Sequence, residues 1–468
     1  MGVVATGLKA ALLLVAALAG TATLAFVRSG PSPTATPSAY PAPKPFPPLL
    51  GFVGKGDAGE LARIDPDTLR PRRGKRVGVG SKACAPSSGG EACWFIPAWS
   101  FAPQRPLLAL AHHRHGGSRS VRIVNVRRMR VSADVPLAGG AVGLLAWLVP
   151  ERLLAVHEIC CEERQRLVAI DLAERRVVVR RPLGGSVQRA ARSPRGLVLL
   201  VAPAKEIGPA RLVVADPHGA VRSVRLERMR AGVKLLPGPR YEVEQSIPGL
   251  AVDPSGRRAF VVGPDLVGEV DLSNLTVTYH EPEPSASALS RLLDWLDPPA
   301  HAKVVSGSTR SARWLGGGLL AVTGTDEDLV EVPAGREQIR IQAAGLSLVD
   351  TRNWSIRTID PGAAEVRVAG DLVLATGSSF DPAARKGESI GLVAYGLDGR
   401  RRFQLFDDRE VWVRQIYAGR AYVDVSLFKP PWLAQRVVAL DAGRVIRRER
   451  AGPHPWLLLE VASGRWDG

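Results

Sequence analysis

The stretch that decides the fold lies between residues 247 and 279. It reads IPGLAVDPSGRRAFVVG (247–263), then, four residues on, GEVDLSNLTVTY (268–279). Apolar runs of four or five residues alternate there with polar turns. In DPSGRR, Gly256 supplies the positive φ that a tight turn between two strands needs. The β-branched residues after it, broken by the turn at Asp271, give a second pair of strands. Four strands in about thirty residues leave no room for a helix.

Weaker copies of the second hairpin recur along the chain. They are LARIDPDTLRP (61–71), VRIVNVRRMRV (121–131), LVAIDLAERRVVV (167–179), RLVVADPHGAVRSV (211–224), LSLVDTRNWSIRTI (346–359), LVAYGLDGRRRFQL (392–405) and VVALDAGRVIRRE (437–449). Their turn residues are Asp65, Asn125, Asp171, Asp216, Asp271, Asp350, Gly396 and Asp441, at gaps of 60, 46, 45, 55, 79, 46 and 45. The recurring 45 or 46 is the period of four-stranded propeller blades. A further apolar strand precedes most hairpins, as in LLALA (107–111), LVLLVA (197–202) and AYVDV (421–425). The expected fold is an all-β propeller of about eight, alternatively seven, four-stranded blades over 49–468. No inner strand precedes Leu49, whereas WLLLEV (456–461) follows the last unit, so a C-terminal strand is expected to close the ring and protect its edges.

On these residues, and most closely over 247–279, the chain resembles the extracellular YVTN and WD40-like propeller repeats, across roughly residues 50 to 463. The resemblance implies fold and leaves function open. None of the eight turns carries the Thr-Gly-x-x-x-Trp motif of the pyrroloquinoline-quinone dehydrogenases, so that assignment is rejected.

Lys9 precedes an uncharged run from Ala10 to Val27 that ends at Arg28. Eighteen helical residues span about 27 Å, close to a hydrocarbon core of about 30 Å. Residues 1–28 are therefore expected to be a membrane anchor with Lys9 inside the cell, or alternatively a cleaved signal; both export the rest of the chain. Residues 29–48, SGPSPTATPSAYPAPKPFPP, read as a semi-rigid stalk. A single-pass protein with an extracytoplasmic propeller follows, with secretion as the alternative.

With 62 Lys and Arg against 45 Asp and Glu, the net charge is +17. The basic residues are spread rather than blocked and no nucleic-acid motif accompanies them, so no specific nucleic acid is expected as a partner. Insertions break the period at 80–94, 229–246 and 281–308. In the last, Leu289, Leu292, Leu293 and Leu296 space as one face of a helix over 285–297 that Pro298 stops.

Propeller topology would gather the loops holding Cys84, Cys93, His112, His113, His115, His157, Glu158, Cys160 and Cys161 on one rim. Exported thiols are oxidised, so Cys84 and Cys93 suit a local disulfide; Cys160 and Cys161 suit a vicinal disulfide or separate partners. A soft-metal site competes with that reading, but no Cys-x2-Cys or His-Glu-x-x-His supports it and no cofactor is expected. The histidines read as ordinary loop residues. In TDEDLVEV (325–332), Asp326, Glu327 and Asp328 offer hard oxygens for a cation but lack the glycine and spacing of a calcium loop, so a solvated acidic loop is the expectation. Gly-x-Ser-x-Gly and Walker A motifs are missing from the sequence.

The functional expectation is a monomeric binding or scaffold propeller that turns one loop-bearing face to a protein or cell-surface polymer. The alternative is a lactonase-like hydrolase with its site at the channel mouth. Carboxylates and histidines converging at the mouth would favour the enzyme; an arginine-only rim would favour binding.

Overall fold

The computed structural model describes residues 49–459 apart from 56–57, 82–83, 88–89, 94–97, 103–104, 114–118, 138–140, 160–163, 237–241, 282–305, 333–335, 384–385, 428–432 and 449–456. The segments 1–28 and 29–48, His115, Cys160, Cys161 and the helix expected over 285–297 lie outside the described residues. Among those described, no helix is long and apolar enough to cross a membrane, and every regular element is a strand.

The repeating unit is an antiparallel meander. Ala141–Val149, Arg152–Ile159, Arg164–Asp171 and Arg176–Pro182 pair in chain order, each with the next. The same meander recurs over 186–231, 249–280 and 411–448. It appears again, tied into larger networks, over 99–137, 306–360 and 365–405. Leu50–Lys55, Ala58–Arg63 and Val77–Ser81 make three strands of one more sheet. Its remaining edge is taken by Leu457–Leu459, with Leu50 opposite Leu459 and Phe52 opposite Leu457.

The turn joining the third and fourth strands has one cause in every unit but the last, where Asp441 accepts from the adjacent Ala442 N–H. A short side-chain oxygen accepts backbone N–H groups two or three residues on, holding the chain in a turn before the next strand begins. Asp65 Oδ1 accepts from Asp67 and Thr68 at 3.0 and 2.8 Å, and Asp171 Oδ1 from Ala173 and Glu174 at 2.9 Å each. Asn125, Asp216, Asp271 and Asp350 do the same, and where Gly396 replaces the acid, Asp398 accepts from Arg400 at 3.0 Å. Four residues after the capping side chain, Leu69, Met129, Arg175, Leu275 and Trp354 take φ between 46° and 61°. That left-handed residue turns the chain into the fourth strand.

The core is divided among the interfaces between successive sheets. Trp147, Leu153 and Ile170 pack on Ala109, Val121 and Val135 of the preceding unit. Leu199, Val201 and Val213 pack on Leu154, Val156 and Leu167. The pattern continues around the molecule until Tyr417, Tyr422 and Val437 meet Leu49, Val53, Ile64 and Leu69, which joins the end of the chain to its beginning. Sheets that bury both faces against neighbours and run in a closed series make an all-β propeller.

Opposite the tight turns, the strands outgrow the ring. Val221–Leu236 continues past its meander and folds back as Glu242–Ile247, which runs parallel to Gly307–Thr309. Leu319–Val332 likewise continues into a hairpin with Arg336–Ala343, and Ile341 pairs with Phe380 of the next unit. The expectation of an acidic loop over 325–332 is therefore corrected: Asp326, Glu327 and Asp328 sit on a strand. The insertion at 229–246 is also a hairpin of strands. Within 80–94, Cys84–Ser87 and Gly90–Cys93 form a two-stranded ladder.

Candidate functional site

The first strand of each meander faces the axis. First strands of most successive units touch one another, while the fourth strands lie outside. Trp99–Phe101, Ala141–Val149, Ser186–Ser193, Gly249–Val252, Ser306–Gly316, Glu365–Ala369, Val411–Tyr417 and Leu457–Leu459 thus line the central channel. These strands contribute six arginines, namely 189, 192, 310, 313, 367 and 414, against the single carboxylate Glu365.

Two of the arginines reach around the channel from one strand. Ser186–Ser193 carries a bulge between Val187 and Arg189, and Arg189 and Arg192, three residues apart, depart to opposite sides as strand alternation requires. Arg192 Nη2 donates to Ser100 Oγ, two units back; the same oxygen accepts the Trp147 N–H at 2.7 Å. Arg189 donates to the Gln188 carbonyl and, two units ahead, to the Arg310 carbonyl, each at 3.2 Å. Its acceptors are carbonyls, and among the described residues it meets no carboxylate. Burial pushes the Arg192 guanidinium down to about 10 and lowers Arg189 as well. Both remain cations at neutral pH.

Two neighbours are balanced by acids from second strands. Arg310, itself buried, grips Asp326 with both terminal nitrogens at 2.8 and 3.1 Å. Arg414 Nε meets Asp424 at 2.7 Å. Asp328 is paired outside the channel with Arg340 at 3.1 Å. The acids at 326 and 328 are thus held by guanidinium groups, an arrangement that competes with cation binding.

Three of the histidines, at 112, 113 and 157, are not loop residues either. His112 and His113 lie in the strand Leu107–His113, opposite Ser120 and Arg119, and His157 and Glu158 lie in Arg152–Ile159, opposite Arg166 and Gln165. His112 is buried, with Nδ1 3.4 Å from Ser120 Oγ. Nearby, burial raises the Asp134 carboxyl, but hydrogen bonds from Ser120 and Arg122 and the Arg122 charge outweigh it and hold it below its ordinary value. Arg122 also donates to the Gly78 carbonyl at 2.5 Å, so this group fastens one sheet to the next. Among the described residues, no three His, Cys, Asp or Glu side chains gather as a metal site would require. Cys84 and Cys93 stand directly opposite each other in their ladder.

Sequence reading missed the arginines. Their signal is positional: Arg192, Arg313, Arg367 and Arg414 each fall five to seven residues before the apolar second strand of a unit, at 197, 319, 372 and 421.

No family model matches the chain, and no curated protein matches it. Among solved structures it is similar to the dihydro-heme d1 dehydrogenase NirN in complex with DHE, at 14% identity and a TM-score of 0.50, over 93% of this chain and 79% of that one. It is also similar to a putative 6-phosphogluconolactonase from Bacteroides uniformis, at 11% identity and a TM-score of 0.36, over 73% and 95% of the two chains. A functionally unknown protein from Desulfotomaculum acetoxidans gives 10% identity and a TM-score of 0.34, over 75% and 93%. At such identities the likeness to the first concerns the fold alone, and it agrees with the strand pairing: the chain is a β-propeller.

Proposed function

We propose that this chain is an extracytoplasmic binding propeller of eight blades, akin to the YVTN and WD40-like repeat proteins, that turns one face to a protein or cell-surface polymer. The count is supported by the eight four-stranded groups, with Leu457–Leu459 completing the first. Residues 1–28 tether it to the membrane and 29–48 hold it away from the surface. A Cys84–Cys93 disulfide belongs to the same reading. Direct cross-strand partners lie about 4.5–5.5 Å apart at Cα, within the span a disulfide bridges.

One observation carries the reading: the two sides of the ring differ. One side is a series of tight capped turns. Among the described residues the other carries the long outgrowths, at 84–93, 232–247 and 323–343, and the strand pairs Ile341–Phe380 and Gly80–His113 link neighbouring outgrowths and strand ends on that side. Leu235, Ile339, Ile341 and Phe380 are exposed there, as apolar groups at a contact surface are. The axis, in turn, presents guanidinium groups, which suit binding.

Photocrosslinking in intact cells tests this, with a photoreactive residue placed at 339 or 380 on the outgrowth side, or at 221 on the turn side, where Val221 is also exposed. Adducts from the first two positions and none from the third are expected. Equal adducts from all three, or none from any, would overturn the proposal.

A further inference from the structure

The two sides of the ring differ in charge as well as in shape. On the turn side the capping acids spend their oxygens on backbone N–H groups, as at Asp65, Asp171 and Asp216, while basic residues beside them point outward. Arg127, Arg128, Arg130, Arg175, Arg257 and Arg444 lie in or next to these turns and are exposed, and among the described residues none of them makes an ion pair. Arg73 and Lys75, in the first unit's connection, are in the same position. The exposed acids Asp67, Glu174 and Asp398 are each taken by a further arginine, at 420, 176 and 402. Glu151, Asp371 and Asp441 are then the unpaired exposed acids of that side among the described residues, too few to cancel the basic groups. The outgrowths have the opposite sign. Residues 232–247 and 323–343 hold seven acids and four basic residues, in a molecule whose net charge is +17. Charge of opposite sign on its two sides orients the ring against a charged plane.

The start of the described chain says what that plane is. Leu50 pairs with Arg63, and the Leu49 carbonyl accepts the Ile64 N–H at 2.7 Å, directly before the turn at Asp65. The second strand of the first unit therefore begins on the turn side, and whatever precedes Leu49 is covalently joined to the ring there, close in sequence to Arg73 and Lys75. We propose that the turn side docks on the surface of an anionic phospholipid bilayer, so that the outgrowth side faces away from the membrane. The inference rests on the reading of residues 1–28 as a membrane tether. Twenty stalk residues at about 3.1 Å each reach about 60 Å, which keeps the ring near the headgroups, so a weak attraction suffices. Because the turns are short, basic groups from several units meet a flat surface together. Each one close to an anionic surface strengthens binding about 5-fold, and its guanidinium fork matches the oxygens of a phosphate group.

The test reconstitutes the full chain into vesicles of phosphatidylcholine, or of phosphatidylcholine with an equal share of phosphatidylglycerol. A quencher on the lipid headgroups reports on a fluorescent residue at 220, in a turn, or at 339, on an outgrowth; Ala220 and Ile339 are both exposed. Quenching at 220 on the anionic vesicles alone is expected, with none at 339, and it should vanish in about 1 M salt, where the Debye length is about 3 Å. Arg127→Gln, Arg128→Gln and Arg130→Gln combined should lower the docked-to-free ratio about 100-fold. Lys234→Gln, at an exposed outgrowth position, should leave it unchanged. Equal quenching at 220 and 339, no quenching on anionic vesicles, or a triple variant that docks as the parent does would overturn the proposal. So would shielding of 220 by long-chain polyphosphate but not by anionic vesicles, which would assign this side to a polymer. Flotation keeps the tether and the docking apart. A chain that floats with neutral vesicles is tethered whatever its orientation. One that does not refutes the tether alone, and docking is then read from flotation with anionic vesicles: it stands if the parent floats and the triple variant does not, and falls otherwise.

Discussion

Replacing Arg192 by Met should cost the protein little or no stability. Burial lowers this guanidinium well below its ordinary value, to about 10. At about 1.4 kcal/mol per pKa unit, holding it charged in the folded state costs on the order of 3 kcal/mol. Its bond to the Ser100 hydroxyl, one of its interactions, returns about 1.5–3 kcal/mol, as hydrogen bonds to charged groups do. Met fills similar volume without a charge, and Ser100 keeps the Trp147 N–H. The balance is at most about 2 kcal/mol in favour of the variant, as for other buried charges exchanged for apolar groups. The pH dependence has a definite sign. The unfolded chain binds the proton more tightly, so the cost is complete below pH 10 and is relieved as pH rises above it. The parent should gain on the variant over that window. Urea unfolding in phosphate-free buffer, followed by tryptophan fluorescence, measures both effects through the midpoint at unchanged slope. A loss of more than about 2 kcal/mol in the variant at pH 7 would make Arg192 a structural strut and refute the reasoning.

Two further outcomes follow from the turns and a glycine. The Arg352 side chain and then its N–H hold the Asp350 carboxyl down to about 2, against 3.8 ordinarily. This turn therefore contributes stability above pH 3.8 that is lost as pH falls through about 2, and Asp350→Asn, which keeps the turn acceptor, should flatten that part of an acid-unfolding curve. Gly391 has φ +67°, and a Cβ there would stand 2.2 Å from the Phe406 carbonyl oxygen. Gly391→Ala should cost about 3 kcal/mol or more, whereas Gly419→Ala, at φ +71° with open space around it, should cost only the left-handed strain of about 1–2 kcal/mol; thermal unfolding of the pair separates the two.

What the sequence made legible was local and repetitive. The capping oxygens at 65, 125, 171, 216, 271 and 350 do their work within four residues, so their spacing alone announced the repeat, and Leu457–Leu459 supplies the closing strand that the missing first strand called for. Long-range pairing erased other signals. Residues 325–332 carry acids among small and apolar groups and look like a loop, yet they hold a strand in which Arg310 and Arg340 reach Asp326 and Asp328 from the two neighbouring strands. His112 looked like a loop residue since nothing in AHHRH shows that the second strand runs on to His113. The channel arginines looked like scattered surface charge because they are far apart along the chain; only closure of the ring brings Arg192 to Ser100 and Arg189 to Arg310.

Everything placed on the axis or on one side depends on the tail completing the first sheet. Native-state hydrogen exchange resolved to single amides reads this directly. If the ring is closed, the paired amides of 50–52 and 457–459 exchange slowly and together, and removing 457–468 sets free those of 50–52 that face the tail while those facing Ala58–Arg63 stay protected. Exchange of 457–459 at the rate of an unstructured chain, with 50–52 still protected, would contradict the closed ring.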